Sequence, residues 1–327
     1  MVSAVIFVAT SCVSPLTGFA FWETNLAYEG ESIYNYLQVK NLSDRTILST
    51  NVLFGVQSVT MKDKGLTGMY YDTALAAPAL ADNANSALIL GMGTGTYARQ
   101  LKQYYPKMNI TGVEIDQKIT DLAGEYFDEP ADIPVTTYDG RAWLAASHDK
   151  YDVLMVDAYQ DITIPFQMSS TEYLNPGGVM VVNMNMISDG QGSINEALSD
   201  TIASVFGNGN TLTADVPNTT NRELFAKKPG SGSEENSMQQ ASKALNLRET
   251  TYERTGSEDL EWYMEEVASR FRKVNEPDSA STILTDDKAP VEVLGMHAID
   301  QIIADEAGLY RQILKDEGFG GLLRAVQ

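Results

Sequence analysis

Hydrophobic runs of strand length alternate with helix-compatible segments through the middle of the chain. The run that ends at Leu90 is followed by a glycine-rich turn, Gly91–Gly95, and then by a helix-compatible segment, Tyr97–Tyr104. A second hydrophobic run ends at Glu114. This order of strand, turn, helix and strand predicts an α/β domain built on a mostly parallel sheet.

A carboxylate stands at the end of each of the next predicted strands. Glu114 ends the second strand, Asp139 the third and Asp157 the fourth. Because the carboxyl ends of parallel strands meet at one edge of a sheet, these acids are expected to surround one crevice. The alternative is that each acid caps the helix that follows it, since Asp is a favoured N-cap residue.

The glycine-rich turn indicates the class of ligand. Glycines let a ligand approach the backbone closely, and the helix N-terminus behind them is electropositive. A dinucleotide fingerprint would have its third glycine at the position of Thr96, whereas Gly95 comes one residue earlier. This spacing, followed by a carboxylate that can accept both ribose hydroxyls, is more typical of sites for S-adenosylmethionine-type ligands.

Composition excludes several functions. The 327 residues carry a formal net charge of −21, and no basic cluster interrupts it, which argues against a nucleic-acid partner. An acidic surface suits a cationic substrate such as a polyamine, although acidity also serves solubility or adaptation to salt. Cys12 is the single cysteine and rules out an intrachain disulfide; two histidines without close Cys/His spacing argue against zinc, and no metal is predicted.

The N-terminal segment, residues 1–22, is apolar and has no charged residue between Val2 and Trp22. Its length is just enough to cross a bilayer. A signal peptide is disfavoured because no Lys or Arg precedes the apolar core. A membrane helix is the preferred interpretation, with the α/β domain on the cytoplasmic side because Lys40 and Arg45 follow it. A packing segment of a cytoplasmic protein is the alternative.

Beyond this segment, alternating polarity predicts a small β domain over residues 23–65. An α/β domain with C-terminal helices is expected over residues 66–327. The predicted strands of the β domain are Ile33–Val39, Arg45–Ser49 and Val52–Val59. The predicted helices outside the α/β core are Leu66–Asp82, Glu258–Val274 and Ile299–Lys315.

Together these motifs resemble spermidine synthase, and more closely the spermidine-synthase-like domains that are often fused to a membrane-transporter-like region. The resemblance covers roughly residues 23–304. The segments that carry it are Ser32–Asn35, Gln57–Ser58, Tyr70–Asp72, Leu90–Gly95, Val113–Asp116, Asp139–Arg141, Val156–Tyr159, Asn175–Gly178 and Thr285–Glu292. It implies a Rossmann-like class I methyltransferase fold, with helices on both faces of the sheet, preceded by the small β domain.

The resemblance also implies an activity, which is transfer of an aminopropyl group from decarboxylated S-adenosylmethionine to an amine. By position, Glu114 would hold the ribose, Asp139 the adenine amino group, and Asp157 would be the catalytic base. The residues that would bind the adenosyl ligand are Gly91, Gly93, Thr94, Gly95, Glu114, Ile115, Asp116, Asp139, Gly140 and Tyr71. Those that would bind the amine or polyamine are Tyr70, Asp157, Tyr159, Gln160 and Asp161. A homodimer is expected.

The chain departs from the family pattern where ammonium groups would be bound. Thr94 replaces an aspartate that helps to bind the amino group of the donor, and Gln160 replaces a second strand-end aspartate, with Asp161 one residue late. Asn35 replaces a glutamine. Lost carboxylates weaken recognition of ammonium groups, so two alternatives stay open. One is a methyltransferase that uses S-adenosylmethionine, and the other is a non-catalytic domain of a membrane protein that senses an adenosyl or polyamine ligand.

Overall fold

The structure is a computed structural model that describes most of the chain. The described residues are 24–51, 56–63, 65–128, 130–158, 171–184, 193–230, 237–279, 281–285, 308, 311–316 and 318. The predicted membrane segment, the amine-binding candidates Tyr159, Gln160 and Asp161, and most of the predicted helix Ile299–Lys315 lie outside them. Within the described part of the chain, no helix has the length and apolarity needed to cross a bilayer.

The N-terminal part of the described chain forms a four-stranded antiparallel sheet in the order β1-β2-β3-β4. Its strands are β1 (Leu26–Glu31), β2 (Tyr36–Asn41), β3 (Arg45–Thr50) and β4 (Ser58–Met61). Strand β1 was not predicted, because it lies at an edge and buries none of its residues fully. The predicted strand from Ile33 begins only at Tyr36. The preceding residues form the β1–β2 turn, in which the amide of Ser32 donates to the carbonyl of Asn35.

A second sheet of eight described strands follows in the order β12-β10-β11-β9-β8-β5-β6-β7. Its strands are β5 (Ser86–Leu90), β6 (Asn109–Glu114), β7 (Val135–Thr137), β8 (Tyr151–Val156), β9 (Leu174–Met184), β10 (Thr211–Asp215), β11 (Arg222–Lys227) and β12 (Arg272–Lys273). Strands β7, β6, β5, β8 and β9 run parallel, whereas β11, β10 and β12 add antiparallel strands at one side. This order confirms the predicted Rossmann-like α/β fold.

Helices connect these strands. They are α1 (Tyr70–Ala74), α2 (Ala76–Leu80), α3 (Thr96–Tyr104), α4 (Gln117–Tyr126), α5 (Gly140–Ala146), α6 (Ile194–Phe206), α7 (Met238–Ala241), α8 (Ala244–Thr255) and α9 (Glu258–Arg270). The single helix predicted over Leu66–Asp82 is two short helices, α1 and α2. Its expected first turn is absent because the amides of Thr67 and Gly68 donate to the Asp72 carboxylate. The predicted division after residue 65 falls between β4 and α1.

Helices cover both faces of the large sheet. Val153 and Met155 of β8 belong to the hydrophobic cluster that contains α1, α2, α3 and α9 residues, whereas Leu154 and Val156 belong to the cluster with α6. Burial of both faces explains why β8 is hydrophobic along its whole length. Helix α4 packs instead against the small sheet, where Leu122 contacts the cluster of β2 and β3 residues. This packing brings the small sheet next to the loop that follows β6.

Candidate active site

The turn after β5 packs directly against the end of β8. Gly91, Gly93 and Gly95 have φ angles of 80°, 56° and 77°, which side chains rarely adopt. A Cβ atom at Gly91 would lie 2.4 Å from the backbone carbonyl oxygen of Asp157. The turn therefore requires glycine for its conformation and for this close approach. Gly95 is the N-cap residue of α3, so the helix N-terminus lies directly behind the turn.

Glu114 lies at the end of β6, and its carboxylate is fixed beside the glycine turn. One oxygen accepts a 2.8 Å hydrogen bond from the amide of Gly93, and the other accepts a 3.0 Å bond from the amide of Asp116. Burial raises the pKa of Glu114, and the backbone hydrogen bonds counteract that effect. Glu114, the residue predicted to bind the ribose, thus lies next to the glycine turn.

Asp116 is buried and is already engaged within the protein. One carboxylate oxygen caps α4 by accepting from the amide of Lys118 at 3.0 Å. The other accepts from the hydroxyl of Ser32 at 2.5 Å and from the side-chain amide of Asn35 at 3.1 Å. Asp116, predicted to bind the adenosyl ligand, therefore joins the β1–β2 turn to the loop after β6.

Two further candidates on the nucleoside side, Ile115 and Asp139, are exposed. Ile115 exposes 39% of its surface, which leaves an apolar side chain available to cover a planar ring. Asp139 is exposed and accepts a 2.9 Å hydrogen bond from the amide of Ala142, so it is the N-cap of α5, which begins at Gly140. For Asp139, the structure therefore shows the helix cap that was the alternative to ligand binding in the sequence analysis.

Asp157 directly follows β8 and is held by side chains from two other elements. The phenol of Tyr70 donates to its Oδ2 at 2.6 Å, and the side-chain amide of Asn183 donates to its Oδ1 at 2.9 Å. Burial raises the pKa of Asp157 to about 7; the hydrogen bonds from Tyr70 and Asn183 lower it, and the charge of Glu114 raises it. Among the described residues, the side chains of Tyr70 and Asn183 thus hold this carboxylate.

Tyr70 and Tyr71 are buried next to each other at the start of α1. Their ring centroids are 3.9 Å apart with an interplanar angle of 37°. Burial raises the pKa of the Tyr70 phenol well above its usual value, so this group is a neutral donor to Asp157 near pH 7. The hydroxyl of Tyr71 donates instead to the backbone carbonyl of Gln57 at 3.0 Å, just before β4.

Two polar residues of this region were not predicted as site residues. Asn183, near the end of β9, donates to Asp157. The side-chain amide of Asn221 donates to Oδ1 of Asn183 at 2.9 Å, which fixes the orientation of the Asn183 amide. Glu223 on β11 pairs in register with Asn183 and is fully buried. For Asn183 the available sequence signal was a polar residue within a hydrophobic run. Strand β11 contains three charged residues, Arg222, Glu223 and Lys227, so Glu223 had no such signal.

Comparison with known protein families identifies the central part of the chain. The model of the spermine/spermidine synthase domain matches residues 69–228. A relative named probable polyamine aminopropyl transferase, from Bifidobacterium longum, is 97% identical over 334 aligned positions, which cover 100% of this chain and 75% of the relative. The polyamine aminopropyltransferase of Vibrio vulnificus is 27% identical over 209 positions, covering 59% of this chain and 69% of that protein.

Solved structures show the same fold. A probable spermidine synthase from Corynebacterium glutamicum superposes with a TM-score of 0.55 at 20% identity, covering 80% of this chain and 100% of that one. A spermidine synthase in complex with the transition-state analogue AdoDATO gives a TM-score of 0.53 at 18% identity, covering 65% of this chain and 76% of that one. At these identities the likeness supports the fold.

Proposed function

The chain belongs to the polyamine aminopropyltransferase family, and on that premise we propose that it transfers an aminopropyl group from decarboxylated S-adenosylmethionine to an amine, with Asp157 as the general base. The observation that carries this role is the environment of the Asp157 carboxylate. It lies at the strand-end crevice beside the glycine turn, and its pKa is raised to about 7. A base whose pKa lies near the working pH is well suited to accept a proton.

The reaction requires such a base. The amine acceptor reaches the site as an ammonium ion, which has no lone pair with which to attack. Asp157 takes one proton, and the freed nitrogen attacks the propyl carbon that is bonded to the sulfonium sulfur. The C–N bond forms as the C–S bond breaks, and the sulfur leaves as the neutral thioether of methylthioadenosine. The protonated Asp157 then returns its proton to solvent.

The donor is assigned to the β5–β6–β7 side of the crevice. Glu114 would accept the ribose hydroxyls, and its fixed position beside Gly93 supports this role. Asp139 would accept from the adenine amino group, and Ile115 would cover the ring. The positive φ angles of the glycine turn support close approach of the ligand to the backbone.

One observation favours a second candidate, a methyltransferase that uses ordinary S-adenosylmethionine. Thr94 is fully buried, and its hydroxyl has no hydrogen-bond partner among the described residues. Synthases carry an aspartate at this position, and its negative charge would repel the carboxylate of S-adenosylmethionine. The neutral hydroxyl of Thr94 does not exert this repulsion. Discrimination between the two donors is therefore expected to be weaker than in a synthase.

The test is to incubate the purified protein with each donor and with a panel of amines. Mass spectrometry would detect methylthioadenosine for aminopropyl transfer and S-adenosylhomocysteine for methyl transfer. We expect methylthioadenosine together with an amine that has gained an aminopropyl group, and we expect both to be lost in Asp157→Asn. S-adenosylhomocysteine alone would support the methyltransferase, and ligand binding without either product would support the sensory alternative.

We also propose a homodimer and association with a membrane. The homodimer and the membrane association through residues 1–22 come from the sequence, and neither concerns contacts that the structure describes. Analytical ultracentrifugation of the chain tests the first, and co-sedimentation with lipid vesicles tests the second. A chain that starts at Glu23 is the matched control for vesicle binding.

A further inference from the structure

Polar residues line the edge of the large sheet on both sides of Asp157. In the spatial order of the strands, Glu114 ends β6, Gly91 follows β5 and Asp157 follows β8. Asn183 on β9 and Glu223 on β11 come next. With the donor on the β5–β6–β7 side and the base at β8, the acceptor side of the crevice is formed by β9 and β11.

Glu223 faces the same side of the sheet as the group that holds the base. It is paired with Asn183 in the antiparallel register of β11 and β9, and directly paired residues point to the same face. The Asn183 side chain reaches Asp157 at 2.9 Å on that face. The negative charge of Asp157 also contributes to raising the pKa of the Glu223 carboxyl, after the larger effect of burial.

The Glu223 carboxyl has an unusual environment. It is fully buried, and neither of its oxygens has a hydrogen-bond partner among the described residues. Other buried carboxylates of the described chain are satisfied; Asp72, for example, accepts from Thr67 and Gln100. Burial of an unsatisfied carboxyl costs free energy, so such a group calls for a functional explanation.

We propose that Glu223 binds the second ammonium group of a diamine acceptor and so selects diamines over monoamines. This inference rests on the proposed aminopropyl transfer. A diamine brings two ammonium groups into a site that excludes water, and each needs an anionic partner. Asp157 receives the ammonium group that reacts. Gln160 stands where the family has a further aspartate, and Glu114 is assigned to the ribose of the donor. Among the described carboxyl groups at this edge of the sheet, Glu223 is the one that is buried without a hydrogen-bond partner, and it is therefore assigned to the other ammonium group.

The spacing of the strands suits this role. Strands β8 and β11 are separated by one intervening strand, β9, so their backbones lie about 9–10 Å apart. Side chains that lean toward each other from these strands can hold the two ends of a short aliphatic diamine. The hydrogen bond from Asn183 to Asp157 keeps the reacting end beside the sulfonium group of the donor.

The electrostatic environment of Glu223 agrees with this role. Burial raises the pKa of Glu223 well above its usual value, and the negative charge of Asp157 raises it further. Burial raises the pKa of the Tyr97 phenol on α3, and Tyr105 and Glu223 raise it further. Both effects on Glu223 favour the neutral form of its carboxyl, which avoids an unpaired buried charge. An arriving ammonium group would stabilise the ionised form and release a proton.

The test compares Glu223→Gln with the wild type on a diamine and on a monoamine of the same chain length. We expect KM for the diamine to rise about tenfold to hundredfold, since a charge-assisted hydrogen bond is lost, with a much smaller change in kcat. The ratio of kcat/KM for diamine over monoamine should fall by the same factor. Glu266→Gln, which removes an exposed carboxylate of α9, is the control for net charge. Glu223→Met is a second variant that removes the polar group while keeping the length of the side chain.

Two measurements separate the possible failures. If the wild type transfers an aminopropyl group and Glu223→Gln changes both acceptors equally, or neither, the Glu223 inference is overturned and the proposed function stands. If the wild type transfers nothing, the proposed function fails. Calorimetry of diamine binding to protein saturated with methylthioadenosine then decides the role of Glu223. Tighter binding by the wild type than by Glu223→Gln supports it, and equal or absent binding overturns it.

Discussion

The phenol of Tyr70 and the carboxylate of Asp157 form a 2.6 Å hydrogen bond between residues 87 positions apart in the chain. This distance is typical of a hydroxyl that donates to a charged carboxylate. The bond favours the ionised form of Asp157, whereas burial favours the neutral form. Tyr70 therefore keeps the pKa of the proposed base near 7 in a site that would otherwise raise it further.

The first prediction concerns the variant Tyr70→Phe. Loss of the phenol hydroxyl removes a hydrogen bond to the ionised carboxylate, so the pKa of Asp157 should rise above about 7. Such a bond is worth about 1.5–3 kcal/mol, which corresponds to roughly one to two pKa units. The acidic limb of the profile of kcat/KM against pH should move up by that amount, and activity at pH 7 should fall.

The matched control is Tyr71→Phe, because the Tyr71 hydroxyl donates to the carbonyl of Gln57 and not to Asp157. Its acidic limb should stay close to that of the wild type. An unshifted limb in Tyr70→Phe would show that this hydrogen bond does not set the pKa of the base.

The second prediction concerns Glu114→Gln. The side-chain amide of glutamine has one neutral oxygen, so it accepts hydrogen bonds from the ribose hydroxyls less well than the two oxygens of the carboxylate. Its NH₂ group would also face a backbone N–H, of either Gly93 or Asp116, that now donates to Glu114. We expect the affinity for methylthioadenosine to fall about tenfold or more, since hydrogen bonds to a charged group are lost. Isothermal titration calorimetry measures this directly. Unchanged affinity would remove Glu114 from the ligand site.

Much of the fold, and the position of the candidate residues at the strand ends, could be predicted from the sequence because the signals are local. The hydrophobic strands that end at Leu90, Glu114 and Val156 are buried on both faces, so the runs themselves mark the parallel sheet. The glycine turn and the carboxylates at the strand ends follow directly from those runs. Their roles in binding and catalysis stay predictions.

The rest depends on contacts between distant parts of the chain. Asp116 bonds to Ser32 and Asn35, which are 84 and 81 positions away, so its role in holding the β1–β2 turn has no local sequence signal. Glu223 acquires its place in the crevice only through the antiparallel pairing of β11 with β9. Strand β1 carries weak alternation because it has no fully buried residue on either of its faces.

The third prediction concerns stability and pH. The pKa of Asp157 is raised by burial from 3.8 to about 7, so between about pH 4 and pH 7 the folded state keeps a proton that the unfolded chain has released. Stability from this group therefore falls as pH rises through that window, by linkage. Melting temperatures measured from pH 5 to pH 8 should decline less steeply in Asp157→Asn than in the wild type. Glu266→Gln is the control, and an identical slope in Asp157→Asn would contradict the raised pKa.

The last prediction separates the catalytic role of Asp157 from a structural one. Asp157→Asn keeps the size of the side chain and can still accept from Tyr70, but it cannot take a proton from the acceptor. Loss of a general base typically costs about a hundredfold to ten-thousandfold in rate, so kcat should fall by that factor. The affinity for methylthioadenosine should change far less, because the proposed adenosine contacts lie on the β5–β6–β7 side. If Asp157 acted only as a helix cap, the variant would lose about 1 kcal/mol of stability and keep its turnover per folded molecule. Turnover, calorimetry and melting measured on the same preparation distinguish these outcomes, and a variant with wild-type turnover would exclude Asp157 as the base.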